Sequence, residues 1–364
     1  MADLKNTTIG TTNAVELPDQ NLSSATGTAK LRFNTTGSLN ALEFYDGGTW
    51  RPVTGYAQGV IGTGGQTINY TDHGIVHIFT TTGGHTFTPA FTGNVQVMVV
   101  GGGGASGYDW AGGGGAGGVV FNRSFPVSAG SGYNVTVGAE GRGGNGGGGS
   151  PTIAGQNGGN SVFSTITANG GGYGGWWDGG DASGGGSGGG GGNSSADGSR
   201  RREPGGLGIT GQGFPGGSGV RFHDDGTNTH NGGGGGGAGG PGLDSQDETN
   251  GQPTHGGPGA ASDIIGDTLY WGGGGASGPH ICDGGGGNGG VGGGGGGACH
   301  YVPRYPTQGL GRGGGQSLNK GQNATNNDGH ARYGGDGAAN TGGGGAHGGS
   351  GHGGGGSGIV GVRY

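Results

Sequence analysis

Two cysteines, each with a histidine close by, are the residues of this chain best suited to hold a metal ion. They lie in PHICDGG, with His280 and Cys282, and in GACHYVP, with Cys299 and His300. Thiolate sulfur and imidazole nitrogen are ligands that tetrahedral zinc prefers. The glycine-rich interval between the cysteines matches no standard zinc spacing, so a disulfide and two plain thiols stand beside the metal reading. A second group is aromatic: Trp110, Trp176, Trp177, Tyr270, Trp271, Tyr301 and Tyr305 sit in glycine- or proline-rich loops. Such rings are platforms for sugars and hot spots of protein contact, or else caps that shield a glycine backbone. A third is SRRREP, whose Arg200, Arg201 and Arg202 suit an anionic surface glycan or form a solvated basic turn. HDDGTN and LDSQDET carry carboxylates but lack the EF-hand spacing, and read as solvated loops.

Enzyme signatures are absent. GxGxxG matches recur throughout so glycine-rich a chain and mean nothing without a strand–helix context. GQSLNKG lacks the Gly-Lys-Ser/Thr order of a phosphate loop. No acidic pair stands in a structured frame as a glycosidase pair would. The expectation is a protein without enzymatic activity and without a cofactor.

The elements that position these groups must be built with little apolar material. Of 364 residues 117 are Gly, only 27% are hydrophobic and only 10% are charged. An ordinary domain is nearly half apolar and about a quarter charged, so one core of ordinary size is excluded. The formal net charge of -7 is small for this length, which leaves the case for disorder incomplete. Ordering a residue's backbone costs about 1–2 kcal/mol, and backbone hydrogen bonds between closely packed glycine segments can offset that. The mild acidity offers no footprint for nucleic acid. No apolar run is long enough to span a bilayer. The opening MADLKNTTIG lacks the apolar core of a signal peptide, so synthesis in a cytosol without conventional export is expected.

Residues 1–56 read as a small β unit. KLRFN is a strand, and LEFYDGGTW is strand, turn and strand about Asp46-Gly47-Gly48. Phe33, Leu42, Phe44, Tyr45 and Trp50 are its attachment and oligomerisation candidates, with Leu42, Phe44 and Trp50 on one face. A unit this small cannot bury its own aromatics, so copies of itself are expected, as a homotrimer.

Residues 57–364 form the second domain, with framing strands over about 75–137 and 359–364 and a glycine-rich body over about 101–358. GIVHIFTT, HTFTP and NVQVMVV alternate and are β-branched or aromatic. In the last, Val95, Val97 and Val99 face one way while Gln96, Met98 and Val100 face the other. VVFNRSFPV, YNVTVG and the terminal IVGVRY are further strands. GGGGASG occurs at 101–107 and again at 272–278, each after an apolar or aromatic pair. Glycine excludes α-helix, and neither the collagen period nor a silk-like alternation is present. The ordered choice left is polyglycine II, an extended three-fold helix that bonds to its neighbours because no Cβ keeps the backbones apart. A flexible linker is the alternative, against which the embedded VV, WW and YW pairs count. The fold class expected is all-β: a small N-terminal module, then a β-sandwich framing packed polyglycine II helices with variable loops.

NVQVMVVGGGGASG, GGGGAGGVV, YNVTVGAEG and GGSGIVGVRY together resemble the glycine-rich domain common in bacteriophage virion proteins, over about residues 75–364. KLRFNTTGSLNALEFYDGGTWRPV resembles a module near the start of phage fibre proteins. The glycine content is similar to that of polyglycine-sandwich adhesins at phage tail-fibre tips. The resemblance implies a virion appendage, often trimeric, attached to other virion proteins through residues 1–56. Its loops would touch a host-surface glycan or protein, with no membrane insertion. Trimeric fibres of this kind can stack histidines around axial iron, but His347 and His352 lack the His-X-His pattern. A capsid-bound decoration or head fibre is the second reading, and a cell-surface or matrix glycine-rich protein the third.

Overall fold

The computed structural model describes residues 30–34, 41–45, 50–52, 62–70, 74–144, 155–176, 180–193, 201–224, 227–246, 252–279, 285–299, 310–327, 331–349 and 351–364. The chain forms two compact units, Met1–Gly62 and Thr63–Tyr364. The described residues are all-β, with no helical residue among them.

In the first unit, β1 (Lys30–Asn34), β2 (Ala41–Tyr45) and β3 (Trp50–Pro52) make an antiparallel sheet in that order. Leu31 pairs with Phe44 and Phe33 with Leu42. Trp50 pairs with Tyr45, and Phe44 with Arg51. The turn at Asp46-Gly47-Gly48 lies outside the described residues.

The second unit is framed by two sheets. Its strands are β4 (Gln66–Tyr70), β5 (Gly74–Phe79), β6 (Gly83–Phe87), β7 (Gly93–Val100), β8 (Val119–Val127), β9 (Tyr133–Val137), β10 (Ser161–Phe163) and β11 (Ile166–Ala168). Distal hairpin strands follow as β12 (Arg201–Glu203), β13 (Gly219–Asp224) and β14 (Thr227–Asn231). The last are β15 (Ala260–Ser262), β16 (Leu269–Trp271), β17 (Thr325–Asn327), β18 (Ala331–Tyr333) and β19 (Ile359–Arg363). The five-stranded sheet has the order β4-β5-β19-β7-β8 and the four-stranded sheet β11-β10-β9-β6. Strand alternation decides what lies between them. Val95, Val97 and Val99 join Phe79, Phe87, Phe163 and Val360 in the core between the sheets. Met98 and Val100 face the other way, with Val76, Ile359 and Trp271, under the cover of β15–β16 and Ile264–Ile265. The central sheet is thus buried on both faces, which explains why β19 reads as a nearly continuous apolar run. The chain end is fixed as well. Tyr364 exchanges two backbone hydrogen bonds with Ile75, and its hydroxyl lies 3.0 Å from Nε2 of fully buried His77.

Beyond these strands the chain continues as glycine. Along run 101–107, Gly101, Gly104 and Gly107 donate to Gly118, Gly115 and Gly112. Gly102 and Ala105 donate to Gly159 and Gln156, and Gly103 and Ser106 to Gly356 and Gly353. Run 112–118 repeats the rule. Its residues 112, 115 and 118 donate to 175, 172 and 169, its 113 and 116 to 233 and 236, and its 114 and 117 to 345 and 342. A β-strand alternates between two neighbours in a plane. A rotation among three neighbours instead places chains on three sides of each run. The distance between runs forbids side chains: a Cβ on Gly103 would fall on the carbonyl of Gly343. At the outside of the lattice, side-chain oxygens replace the missing neighbour. Asn160 Oδ1 accepts from Gly170 N–H and Asn157 Oδ1 from Tyr173 N–H, each at 2.9 Å and again three residues apart.

Candidate functional site

The hydrogen-bond pairs give the lattice two ends. The near end is the sandwich: β7 leads into run 101–107, run 112–118 leads into β8, and run 353–358 leads into β19. The turns at 209–212, 238–240 and 338–341 also lie at this end, through the bonds of Val119 to Gln212, Ala238 to Gly272 and Thr341 to Ser357. Following each run away from the sandwich leads to residues 107–112, 144, 155, 176–180, 193, 219, 231, 246, 279, 299, 327 and 349. The stems of all six variable segments noted in the sequence, YDWA, YGGWWDGGDAS, SSADGSRRREPGG, VRFHDDGTNTHN, LDSQDETNGQPTH and CHYVPRYPTQ, emerge from this far end. Variable loops on a rigid frame are a common basis of recognition.

Asp109 and Trp110 form the tightest of these loops, with φ of 54° and 47°. The left-handed backbone is uncommon for a non-glycine residue and costs of order 1 kcal/mol or more for each. It turns Tyr108 and Trp110 onto two separate stacks. Trp110 lies on His230 at 4.7 Å between ring centroids, and His230 Nδ1 accepts from Asn193 Nδ2 at 2.6 Å. Tyr108 lies on Trp176 at 5.7 Å, with Tyr173 against the same indole at 5.8 Å. Tyr108, Trp110, Tyr173 and Trp176 are half-buried, so each ring both packs on the lattice and meets solvent. Arg202 is exposed in β12 and reaches Ser245 O at 3.4 Å. Arg201 begins the same strand.

Two sequence expectations are corrected here. Trp271 is fully buried beneath the central sheet and packs with Met98 and Ile359. Tyr270 is half-buried beside it and donates its backbone N–H to Gln316 O, at the near end. The YW pair closes the β15–β16 hairpin, and strand alternation turns the indole into the core. Neither residue belongs to the far face. Trp177, Arg200, His280, Cys282, His300, Tyr301 and Tyr305 lie outside the described residues. Cys299 is buried and disulfide-bonded, and the chain has one other cysteine, Cys282. In that state its sulfur is not the thiolate that zinc requires. Among the described residues no group of three or more His, Cys, Asp or Glu is placed to hold a metal ion. No helix among them is long and apolar enough to cross a membrane.

Tyr108, Tyr173 and His230 are the far-face residues that sequence reasoning missed. Each lies within a variable segment, but their pairing depends on which runs are neighbours. His255, near this end, accepts from Asn288 N–H at 2.8 Å through Nδ1, and burial lowers its pKa.

Residues 80–324, about two thirds of the chain, match the family described as glycine-rich domain. This chain belongs to that family. No curated protein matches it at a significant level. The matched span ends before run 342–347 and before β19, although β19 lies at the middle of the five-stranded sheet. The folded glycine-rich unit therefore reaches past the matched residues on both sides.

Proposed function

We propose that this chain is a bacteriophage virion fibre or tail adhesin whose loops contact the host surface. In this reading residues 1–56 attach it to the particle as a homotrimer, and the glycine-rich unit points outward. The observation that carries the reading is that the stems of all six variable segments leave the lattice at one end, opposite the sandwich. Half-buried Trp110 and Trp176 supply rings set on rigid stems, the usual anchors of recognition. The period of three in hydrogen bonding supports the further reading that the runs are polyglycine II helices.

Purified chain added to host cells before infection tests the recognition role. Blocked adsorption is expected, with the block weakened by Trp110→Ala or Trp176→Ala. Undiminished adsorption at saturating chain refutes it. Immunolabelling of particles separates position: label on the tail fits the adhesin, and label on the head shell replaces it with the decoration reading. Sedimentation of the full chain as a monomer at micromolar concentration removes the trimer.

A further inference from the structure

The side of the lattice carries a trough that the recognition reading does not use. Its floor is run 353–357, and its walls are residues 140–143 and 336–339. Among the described residues no glycine run packs against Gly354. A Cβ on Gly353, Gly355 or Gly356 would fall on a backbone carbonyl, of Gly335, Gly103 and Ala338 respectively. A Cβ on Gly354 would meet nothing nearer than Gly141 O at 3.2 Å, then Asp336 Oδ1 at 3.7 Å. The floor is thus open along one residue, and the cavity has a volume of about 530 Å³. That lies in the range of roughly 300–1,000 Å³ that holds small ligands. The cavity beside Phe121 and Arg123, at about 210 Å³, falls below it.

The chemistry of the trough is polar. Glu140, Arg142 and Gln322 are exposed, and their side chains make no hydrogen bond or ion pair with other described residues. Asp336 lines the trough and is fixed, because its Oδ1 accepts from Gly354 N–H at 2.8 Å. His352 lines the trough, half-buried, with its ring stacked on that of fully buried His347 at 5.5 Å and 24° between the planes. Two carboxylates against one guanidinium give no excess of positive charge to attract a phosphate or other anion. An extended peptide would need the main-chain donor of the floor, and Asp336 already occupies it.

We propose that this trough binds a short neutral oligosaccharide. Sugar hydroxyls donate to Glu140 and Asp336 and accept from Arg142 and Gln322, a balance of acceptors and donors that suits an uncharged polyol. The site lies along the side of the lattice and stands whether or not the far face binds a host.

The test is calorimetric titration of the full chain with hexamers of α-1,4-linked glucose, β-1,4-linked glucose and β-1,4-linked N-acetylglucosamine. At least one is expected to bind at millimolar concentration or below. The exposed double variant E140A/R142A, which removes one charged acceptor and one charged donor, is expected to bind at least about tenfold more weakly. Gly354→Ala, which puts a methyl group on the floor, is expected to weaken binding while leaving the unfolding midpoint close to that of the parent. Gly84→Ala, in β6 of the sandwich where an added Cβ meets nothing within 4 Å, is expected to change nothing. The proposal is overturned if no hexamer binds the parent chain. It is equally overturned if E140A/R142A binds undiminished, or if a glycine-rich peptide or inorganic phosphate binds as well as the sugars. Adsorption blocking by E140A/R142A, measured in parallel, keeps the far-face reading separate from this one.

Discussion

Replacing Gly103 by alanine tests whether backbone contact holds the second unit together. The added methyl group would occupy the position of the Gly343 carbonyl. Relief requires run 101–107 to move away by more than an ångström. That movement strains the bonds of Gly102 to Gly159, Gly103 to Gly356 and Gly104 to Gly115, each 2.8–2.9 Å long. Three hydrogen bonds at about 1 kcal/mol each, with an overpacking term of about 1–3 kcal/mol, give a loss of about 4–6 kcal/mol. The control is Gly84→Ala in β6, where an added Cβ meets nothing within 4 Å. There the substitution costs nothing sterically, and the stiffer unfolded chain favours folding by about 0.4–1 kcal/mol. Urea unfolding of both variants in the full chain gives the difference from their midpoints. If Gly103→Ala lies within about 1 kcal/mol of Gly84→Ala, the runs are loosely associated and the lattice account is wrong.

Other outcomes follow from the near end. His77 is buried, its Nδ1–H donates to Gly64 O at 2.7 Å, and burial lowers its pKa more than that bond raises it. The unfolded chain therefore takes up the proton first as pH falls. Stability is full above about pH 6.5 and declines below it, through the lowered folded pKa, with His255 acting in the same direction. Melting temperature against pH should show a shallower acid limb in His77→Gln. Trp271→Ala empties the core below the central sheet and is expected to cost about 3–5 kcal/mol in urea unfolding. Trp271→Phe should cost clearly less, since the buried indole N–H has no partner among the described residues. Asn160→Ala removes the acceptor of Gly170 N–H and is expected to cost about 1 kcal/mol, visible as faster amide exchange at Gly170.

The strands β5 to β9 and β19 were legible because alternation over five or more residues is a local signal, and both faces of β7 match it. Strands β10–β11 and β15–β16 were not legible. Each is three residues long, and SVF or LYW becomes a strand only by pairing across a hairpin. Trp271 shows the same limit at a site: a tryptophan beside four glycines looks like a loop residue until its hairpin is placed over the sheet. That loops would alternate with glycine runs was readable. That their stems share one end was not, since it follows from which runs bond to which.

Register in this lattice obeys a different rule from register in a sheet. A one-residue slip of a strand exchanges its faces. A slip along pure glycine changes nothing, because every position presents the same backbone, so a glycine inserted into such a run displaces residues only at the far loop. The buried alanines break this degeneracy. Ala116 is fully buried in run 112–118, next to the end anchored by β8. A glycine inserted between Gly113 and Gly114 leaves Ala116 in place and pushes the extra residue into the 108–111 loop. A glycine inserted between Gly117 and Gly118 moves Ala116 into the place of Gly115, where a Cβ would fall on the Ser187 carbonyl. The two insertions differ in composition by nothing and in position by four residues. By the overpacking and hydrogen-bond costs used for Gly103, the second should be less stable by about 3 kcal/mol or more. Equal urea midpoints would show that alanine does not set the register. The expected inequality would explain how far loops of very different length can be carried on one frame: changes in length pass along the glycine to the end where the loops are.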